Sequence, residues 1–434
     1  MEKLGRKIVK LRIPIFIISI LLLIPATIGY INTRVNYDIL SYLPDDIETM
    51  KGQDILVNEF GTGAYSMFIC EGMENKDVAA LKQKIEDVEH VSKVVWYDSL
   101  MDISVPMEML PEEVRTAFNS DDSTMMFIIF DTTTSADETM EAIGDIRHIA
   151  GKQCFLSGMS AVVTDTKNLA ESEITIYVVI AVILSSIVLA LTMETYLIPV
   201  FFLLNIGMAI LYNMGTNILT GEISYITKAL CAVLQLGVTM DYSIFLWHSY
   251  QEKKGIYGND HKEAMAQAIA ATIKSVVGSS ITTIAGFVAL CFMSFTLGLD
   301  LGIVMTKGVV FGVLCCVTVL PSMIMIFDKA LEKTAHRQLI PDFPKVSEFI
   351  VKHHVLFAVV FVLLFVPFAY FQANTPVYYN LDATLPKDLE SIQANTKLQE
   401  EYNMGAAHMI LIDKEITDKD KYKMISEMEQ VEGV

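Results

Sequence analysis

Seven runs of mostly apolar residues dominate this chain. Each is about 18–20 residues or longer, which is enough for a helix to cross a bilayer. The runs lie at 13–31, 174–193, 196–214, 226–248, 276–296, 301–327 and 355–372. A long hydrophilic segment, 32–172, separates the first run from the second, and another, 373–434, follows the last. The pattern predicts a polytopic α-helical membrane protein with two hydrophilic segments outside the bilayer.

The segment 32–172 alternates between strand-like and helix-like patterns. Apolar alternation predicts four strands, and a spacing of three to four apolar residues predicts two helices. The strands are expected at 64–70, 92–98, 123–131 and 153–157, and the helices at 76–89 and 137–150, with a short helix near 111–118. The order βαβ followed by βαβ is typical of a ferredoxin-like α/β domain. We therefore expect an extracytoplasmic domain of this class, whose last residues lead helically into the second span.

Composition and charge set the orientation. Hydrophobic residues make up 53% of the 434 positions, and the net charge is −19. Lysine and arginine concentrate at 1–12 and in the short segments between spans 4 and 5 and spans 6 and 7. These segments all lie on one side of a seven-span chain, and the positive-inside rule assigns that side to the cytoplasm. The predicted order of segments is cytoplasmic 1–12, span 13–31, extracytoplasmic 32–172, spans 173–327, cytoplasmic linker 328–354, span 355–372 and extracytoplasmic 373–434.

An internal repeat links the two hydrophilic segments. NTRVNYDILSYLPDDIE (32–48) and NTPVYYNLDATLPKDLE (374–390) share eight of 17 positions at an offset of 342. The offset also places span 1 on span 7, which argues against a cleaved signal peptide at the N-terminus. Both copies start on the same side, so the repeat is of the parallel kind found in transporters. We expect this chain to be the N-terminal part of a parent of ~700 residues with about twelve spans, truncated in its second repeat.

Asp241 is the one carboxylate that lies inside the predicted spans. Gly237, Asp241 and Phe245 are spaced by four and share one helix face. An acidic residue at the centre of a span costs roughly 2.5–3.5 kcal/mol on insertion scales. The functional interpretation is proton uptake and release by Asp241, with hydroxyls from Tyr242 and from GSSITT (278–283) in a proton path. The alternative is a carboxylate that only forms a hydrogen bond to a neighbouring helix.

Other polar residues in or near the spans have structural alternatives. Lys307 could pair with Asp241, but we favour its reaching to the outer interface. His248 lies seven residues after Asp241 and could extend a proton relay, although interfacial histidines are common. Cys70 and Cys154 belong to strands predicted to be antiparallel neighbours, so they could form a disulfide or, as we favour, remain two buried thiols.

Several classes of function are excluded by the motifs. The chain has no phosphate-binding loop, no zinc-ligand spacing and no nucleophile elbow, and its acidity argues against nucleic-acid binding. An intramembrane aspartyl protease would need two carboxylates in one site, and only one lies within the spans. We predict a protein that is not an enzyme and that needs no metal or cofactor.

The sequence resembles the MMPL branch of the resistance-nodulation-division transporter superfamily. The resemblance rests on GVTMDYSIFL (237–246), SSITTIAGFVAL (279–290) and GVVFGVLCCVTVLP (308–321), and on the layout of spans and outer segments. Spans 2–6 are similar to the sterol-sensing domain of the same superfamily. The resemblance implies that Asp241 and Tyr242 form a proton-relay pair, with Phe245 nearby and Ser279 as a relay hydroxyl. It also implies a second Asp-Tyr pair near position ~583 of the parent.

The function implied is export of lipids or other hydrophobic or amphiphilic compounds across the cell membrane, driven by the proton gradient. The implied partners are these compounds, the missing C-terminal half and, as an alternative, a second copy of the chain. The competing hypothesis is a non-transporting membrane receptor or scaffold with a sterol-sensing-like core. Collapse of the proton gradient discriminates between the two, because only the exporter depends on it.

Overall fold

The computed structural model describes residues 1–99, 112–336, 344–376, 384–405 and 409–431. Within these ranges the chain forms sixteen α-helices: α1 Glu2–Lys10, α2 Arg12–Asn32, α3 Glu48–Phe60, α4 Asn75–Glu86, α5 Glu112–Phe118, α6 Asp137–Ile149, α7 Met159–Thr192, α8 Leu197–Gly215, α9 Tyr225–Tyr257, α10 His261–Leu290, α11 Leu297–Ile326, α12 Asp328–Lys333, α13 Pro344–Lys352, α14 His354–Ala373, α15 Glu390–Tyr402 and α16 Asp418–Met428. Parts of the predicted linker 328–354 and of the segment 373–434 lie outside the described residues.

The same ranges contain seven short strands in two sheets: β1 Arg34–Asn36, β2 Ala64–Glu71, β3 Val91–Val95, β4 Asn119–Ser120, β5 Ser123–Phe130, β6 Cys154–Ser157 and β7 Glu222–Ser224. The chain divides into two compact units. The first, which we call the membrane unit, comprises Met1–Pro44 and Thr166–Thr384. The second, the α/β unit, comprises Asp45–Asp165 and Leu385–Val434.

Seven helices of the described chain are long and apolar enough to cross a membrane, as predicted. They are α2, α7, α8, α9, α10, α11 and α14, with α8 continuing to Leu219. The fifth apolar run, 276–296, differs most from its helix, because α10 starts at His261 and ends at Leu290. The first turns of α10 are amphipathic and begin at an Asp260 cap, so a search for apolar residues alone places this helix too late.

Helix α11 forms the centre of the membrane unit. In the most apolar 18-residue stretch of α11, 61% of the residues are buried, whereas in the corresponding stretch of α14 none of the described residues is buried. Two glycines let α11 approach α9. A Cβ at Gly312 would lie 2.2 Å from Thr239 Cγ2, and one at Gly308 would lie 2.9 Å from Gln235 Oε1. Small residues at four-residue spacing allow this close packing of membrane helices.

The basic N-terminus is an ordered helix in the membrane unit. Ile8 and Val9 of α1 are buried, and a Cβ at Gly5 would lie 2.3 Å from the carbonyl oxygen of Ala266 in α10. Arg6 pairs with Glu263 of α10 at 2.8 Å. The sequence predicted a charged cytoplasmic tail here and missed its apolar face.

Residues 34–36 do not belong to the α/β unit. They form β1, which pairs in parallel with β7 in the membrane unit, with Arg34 opposite Glu222. Because the predicted boundary of the extracytoplasmic domain came from the end of an apolar run, it could not detect this pairing across the sequence.

The α/β unit has the predicted ferredoxin-like sheet. The strand order is β3-β5-β2-β6, and every neighbouring pair is antiparallel. One face packs on α4 and α6 through Phe68, Ile85, Ile128 and Ile143. The strand at 92–98 is shorter than predicted, because it ends at Val95 and a 3₁₀ turn follows at Tyr97–Ser99.

Helix α15 covers the other face of this sheet. Leu398 packs with Met67, Ile69 and Met125, and Ala394 is fully buried. The sequence assigned residues 373–434 to the start of a separate second domain. In the structure 385–434 share one compact unit with 45–165 instead. The sequence signal for a sheet covered on both sides is that adjacent residues of β2, Met67 and Phe68, are both apolar although they lie on opposite faces.

The internal repeat recurs in the secondary structure. At the offset of 342, α1 falls on α13, α2 on α14 and α3 on α15. Helices α3 and α15 both contain 13 residues and both end in a left-handed residue, Gly61 at φ 63° and Asn403 at φ 53°.

Candidate functional site

Helix α9 positions Asp241 and fixes which side of the helix is covered. The helix starts at Tyr225 and is capped by Ser224, whose hydroxyl accepts a hydrogen bond from the Ile226 amide at 3.3 Å. One face packs inside the membrane unit and carries Gln235, Thr239, Tyr242, Ser243 and Leu246. The opposite face is exposed and carries Gly237, Asp241, Phe245 and His248. We call this second face the Asp241 face.

Asp241 has no partner in the part of the chain that the structure describes. None of the hydrogen bonds or ion pairs found there involves its carboxylate, and its side chain lies on the surface of an apolar helix. The neighbouring ring of Phe245 is 58% exposed, and a Cβ at Gly237 would meet nothing within 4 Å. A carboxylate that faces lipid without a partner is costly, so this face is suited to being covered by another protein surface.

Tyr242 and Ser279 lie on different kinds of surface. The Tyr242 side chain is 3% exposed and packs with Leu246, Trp247 and Tyr250. Ser279 lies on the exposed side of α10, where its carbonyl oxygen accepts a hydrogen bond from Thr282 Oγ1 at 2.7 Å. No hydrogen bond among the described residues joins Asp241 to either of them. The structure thus places Asp241 and Ser279 on exposed faces of neighbouring helices and turns Tyr242 inward.

Lys307 lies away from the Asp241 face. Its ammonium group donates to Thr216 Oγ1 at 3.3 Å and to Asn217 Oδ1, both just after α8. Asp300, two turns earlier on α11, accepts from the Ser224 amide at 3.0 Å. Lys307 therefore uses neutral oxygens as its partners, and the ion pair with Asp241 that the sequence left open is not formed.

A buried polar network crosses three helices beside Lys307. Asn213 Nδ2 donates to Gln235 Oε1 at 3.1 Å, and Gln235 Nε2 donates to the carbonyl oxygen of Gly308 at 3.1 Å. Asn213 is 0% exposed and Gln235 is 1% exposed. Sequence analysis singled out neither Asn213 nor its link to Gln235. The signal was an asparagine within the apolar run 196–214, near the end of α8, where its amide must find a partner in a membrane.

The described cysteines are all free. Cys70 of β2 and Cys154 of β6 stand directly opposite each other, as the predicted strand order implied, and their sulfurs are 3.9 Å apart. Three cysteines, Cys231, Cys315 and Cys316, are buried in the membrane unit.

One group of metal-type side chains lies at the end of the membrane unit that holds α12. His261, Asp328 and Glu332 bring one donor atom each within 4.8 Å of one another. These atoms already have partners, because His261 Nδ1 bonds Asp328 at 2.5 Å and Lys254 pairs with Glu332 at 2.9 Å. The group is therefore satisfied as a polar network that ties α10 to α12.

An apolar cavity of about 420 Å³ opens within the membrane unit. It lies among α2, α7, α8 and α9, and its lining includes Leu23, Val182, Leu204, Gly207 and Leu236. With an almost entirely apolar lining, it suits an acyl chain or another hydrophobic group.

Comparisons with known proteins agree with this architecture. The family model described as MMPL family matches residues 51–353, which is more than half of the chain. Membrane protein MJ1562 of Methanocaldococcus jannaschii is 22% identical over 357 residues, covering 73% of this chain and 91% of that protein. Membrane protein YdgH of Bacillus subtilis is 23% identical over 397 residues, covering 87% and 44% respectively.

The siderophore exporter MmpL5 of Mycobacterium tuberculosis is 25% identical over 209 residues, which are 45% of this chain and 22% of the exporter. Among solved structures, SecDF in its super-membrane-facing form matches with a TM-score of 0.39 and 13% identity, over 75% of this chain and 39% of SecDF. The chain thus spans most of the archaeal relative but less than half of YdgH and of MmpL5. With the family model matched over both the α/β unit and the membrane helices, this multi-pass membrane protein belongs to the MMPL family, a family of membrane transporters.

Proposed function

We propose that this protein exports lipids or other hydrophobic or amphiphilic compounds across the cytoplasmic membrane and that the proton gradient drives the export. In this proposal the N-terminus lies in the cytoplasm, and no metal or cofactor is needed. The observation that carries the proposal is Asp241, a carboxylate on an exposed apolar helix face with no partner among the described residues.

The energetic argument starts from the cost of that carboxylate. A charged aspartate at the centre of a span costs roughly 2.5–3.5 kcal/mol, and protonation removes the charge. Each proton that crosses the membrane down its gradient supplies about 2.3 kcal/mol per 100 mV. Binding and release of one proton at Asp241 can therefore change how the Asp241 face packs against whatever covers it, and this change is the proposed link to transport.

The proposed partner on the Asp241 face is the second repeat of the same protein. The offset of 342 between α1–α3 and α13–α15 supports it, because a repeated chain would supply a second copy of α9. The length of YdgH, of which this chain covers 44%, supports it too. A second copy of this chain is the alternative, and the 91% coverage of MJ1562 favours it.

The cavity and one relative support the proposed substrate class. The apolar cavity of about 420 Å³ suits a hydrophobic chain or ring rather than a small polar solute. One relative, MmpL5, is a siderophore exporter. Together they support cargo that is lipid-like or amphiphilic.

The test replaces Asp241 by asparagine at the chromosomal locus, so that the protein is made in its natural form. Cells are loaded with Nile red, a fluorescent hydrophobic probe, and its efflux is followed with and without a protonophore. We expect Asp241→Asn to abolish the protonophore-sensitive efflux while the protein remains in the membrane at normal abundance. Asp241→Glu, which keeps a titratable group, should retain part of it.

The matched control is Glu252→Gln on the same helix, because Glu252 is a carboxylate with 67% of its side chain exposed. This variant should export like the wild type. Efflux by Asp241→Asn at the wild-type rate, or an equal loss in Glu252→Gln, would reject the proposed role of Asp241.

The second candidate is a non-transporting receptor or scaffold with a sterol-sensing-like core, and the apolar cavity favours it. A receptor would bind a hydrophobic ligand but would be indifferent to collapse of the proton gradient. Nile red efflux that is equal in wild-type cells with and without the protonophore, together with saturable binding of the probe to the purified protein, would select this candidate.

A further inference from the structure

Three sulfur atoms meet at one end of the sheet in the α/β unit. Cys70 is near the end of β2 and Cys154 begins β6, and the antiparallel register sets them directly opposite each other. Cys154 Sγ lies 3.9 Å from Cys70 Sγ and 3.8 Å from the Sδ of Met73, which follows β2 in the chain. We call these three residues the sulfur cluster.

The strand geometry explains why the two thiols are so close. The Glu71 amide donates to the Gln153 carbonyl at 3.0 Å, so the next pair along the ladder, Cys70 and Cys154, is not joined by backbone hydrogen bonds. In antiparallel sheets the Cα atoms of such pairs are about 4.5 Å apart and their side chains are closer together than in bonded pairs. The register itself therefore brings the two sulfurs together.

One member of the sulfur cluster is buried and the other two can be reached from solvent. Cys70 is 0% exposed and packs among Phe68, Val78 and Leu156, whereas Cys154 and Met73 are partly exposed. An ion could thus reach Cys154 and Met73 from solvent and bind Cys70 from the outer side of the core.

The chemistry of the donors selects the kind of ion. Thiolate and thioether sulfurs are soft ligands that select Cu(I) over the harder Mg²⁺, Ca²⁺ or Mn²⁺. A metal held by sulfur at ~2.3 Å in a three-coordinate plane has its sulfur ligands about 4.0 Å apart. The separations from Cys154 Sγ to the other two sulfurs, 3.9 Å and 3.8 Å, are close to this spacing.

We propose that Cys70, Cys154 and Met73 form a binding site for a soft monovalent cation, Cu⁺ or Ag⁺. Binding replaces the two thiol protons, which pass to solvent, and leaves two thiolates and one neutral thioether on one cation. No electron is transferred, so the site acts on the reduced pair and competes with a disulfide between the same cysteines. The proposal is independent of the transport function proposed above.

The test titrates the purified full chain with Cu⁺ under argon, after reduction and removal of the reductant, in competition with the chromogenic chelator bicinchoninate. We expect one equivalent of Cu⁺ per chain. Cys70→Ser and Cys154→Ser should each abolish it. Met73→Leu, which nearly conserves volume, should weaken affinity by ~10-fold or more, the scale on which metal sites respond to lost support. Cys291→Ser, a partly buried cysteine of the membrane unit, is the matched control and should bind like the wild type.

A second measurement covers the case in which a serine variant does not fold. In wild-type membranes, Ag⁺ should protect Cys154 from alkylation by N-ethylmaleimide, detected by peptide mass spectrometry. Absence of an equivalent of Cu⁺, unchanged affinity in Met73→Leu, or undiminished alkylation in the presence of Ag⁺ would each overturn the site. Isolation of the pair as a disulfide from cells kept under argon would overturn it as well.

Discussion

Asp165 joins α15 to the rest of the α/β unit, and replacing it with asparagine should release that helix. Arg147 donates to both carboxylate oxygens of Asp165, at 2.6 Å and 3.1 Å. The Ser391 amide in the first turn of α15 donates to the same carboxylate at 2.9 Å. Asp165 is 6% exposed, and its negative charge also lies at the positive end of the helix dipole.

The magnitude follows from what α15 loses with the carboxylate. A hydrogen bond from the Ser391 amide to a charged group contributes about 1.5–3 kcal/mol, and the negative charge at the N-terminus of the helix adds about 0.3–1 kcal/mol. The ion pair with Arg147 lies outside α15 and holds the carboxylate in place for this contact. With tenfold for every 1.4 kcal/mol, a loss of ~3 kcal/mol corresponds to about a 100-fold increase in the population of chains with α15 detached.

The assay is hydrogen exchange of the backbone amides in α15, because exchange reports local opening of one element without requiring the whole chain to unfold in two states. Asp165→Asn should speed exchange across residues 390–402 by about 100-fold and leave the membrane helices unchanged. The matched comparison is Glu390→Gln. Glu390 pairs with the same Arg147 at 3.0 Å, but its side chain is 70% exposed.

An exposed ion pair contributes about 0–1 kcal/mol, so Glu390→Gln should change exchange by less than about fivefold. If both variants release α15 equally, burial does not decide the strength of the pair. If Asp165→Asn leaves α15 as protected as in the wild type, the helix is held by apolar packing alone and the reasoning fails.

Two further predictions concern packing and pH. Gly312→Ala would place a Cβ 2.2 Å from Thr239 Cγ2, so α9 and α11 must separate at a cost of about 1–3 kcal/mol. The thermal unfolding temperature in detergent should be lower for this variant but not for the control Gly286→Ala, whose Cβ would meet nothing within 4 Å. Equal unfolding temperatures for the two variants would contradict the prediction. Burial raises the pKa of Tyr402 from 10.0 to about 12, so the folded state holds the phenol proton more tightly than the unfolded state. The stability that the protonated phenol contributes is therefore complete below pH 10 and is lost as the pH rises towards 12. Exchange of α15 should therefore accelerate over that window in the wild type and less in Tyr402→Phe, and identical pH profiles would refute the assignment.

The pattern of apolar residues was sufficient for the elements and for the order of the strands. Seven runs predicted the seven long apolar helices, and the alternation in 64–157 predicted the ferredoxin-like sheet. These features depend on local periodicity, which a single sequence carries. Helix α10 was placed too late, because its first turns carry polar residues on the side away from the core.

Contacts between distant segments could not be predicted in the same way. The pairing of β1 with β7 and the packing of α15 on β2 and β6 depend on where the chain returns after a long excursion. The partner of Lys307 was equally hidden, because Asn217 lies in a turn that looks unremarkable in the sequence.

The candidate site was predicted in its residues but not in its arrangement. Periodicity placed Gly237, Asp241 and Phe245 on one face, and the structure leaves that face exposed. Periodicity did not reveal that Tyr242, one residue later, turns into the core. Adjacent residues on a helix point about 100° apart, so the two members of the predicted pair necessarily differ in their surroundings.

The α/β unit is built from two segments of the chain that are synthesised at different times. Its sheet is complete at Ser157, but α15 is translated only after the membrane helices α7 to α14. At ~5–20 residues per second, the ~220 residues between Asp165 and Leu385 take roughly 10–40 s to synthesise. During that interval Met67, Ile69 and Met125 lack the helix that covers them. The nascent chain must therefore keep an apolar sheet face from aggregating while it inserts six spans, and chaperones that bind such faces should associate with this protein in the middle of its synthesis.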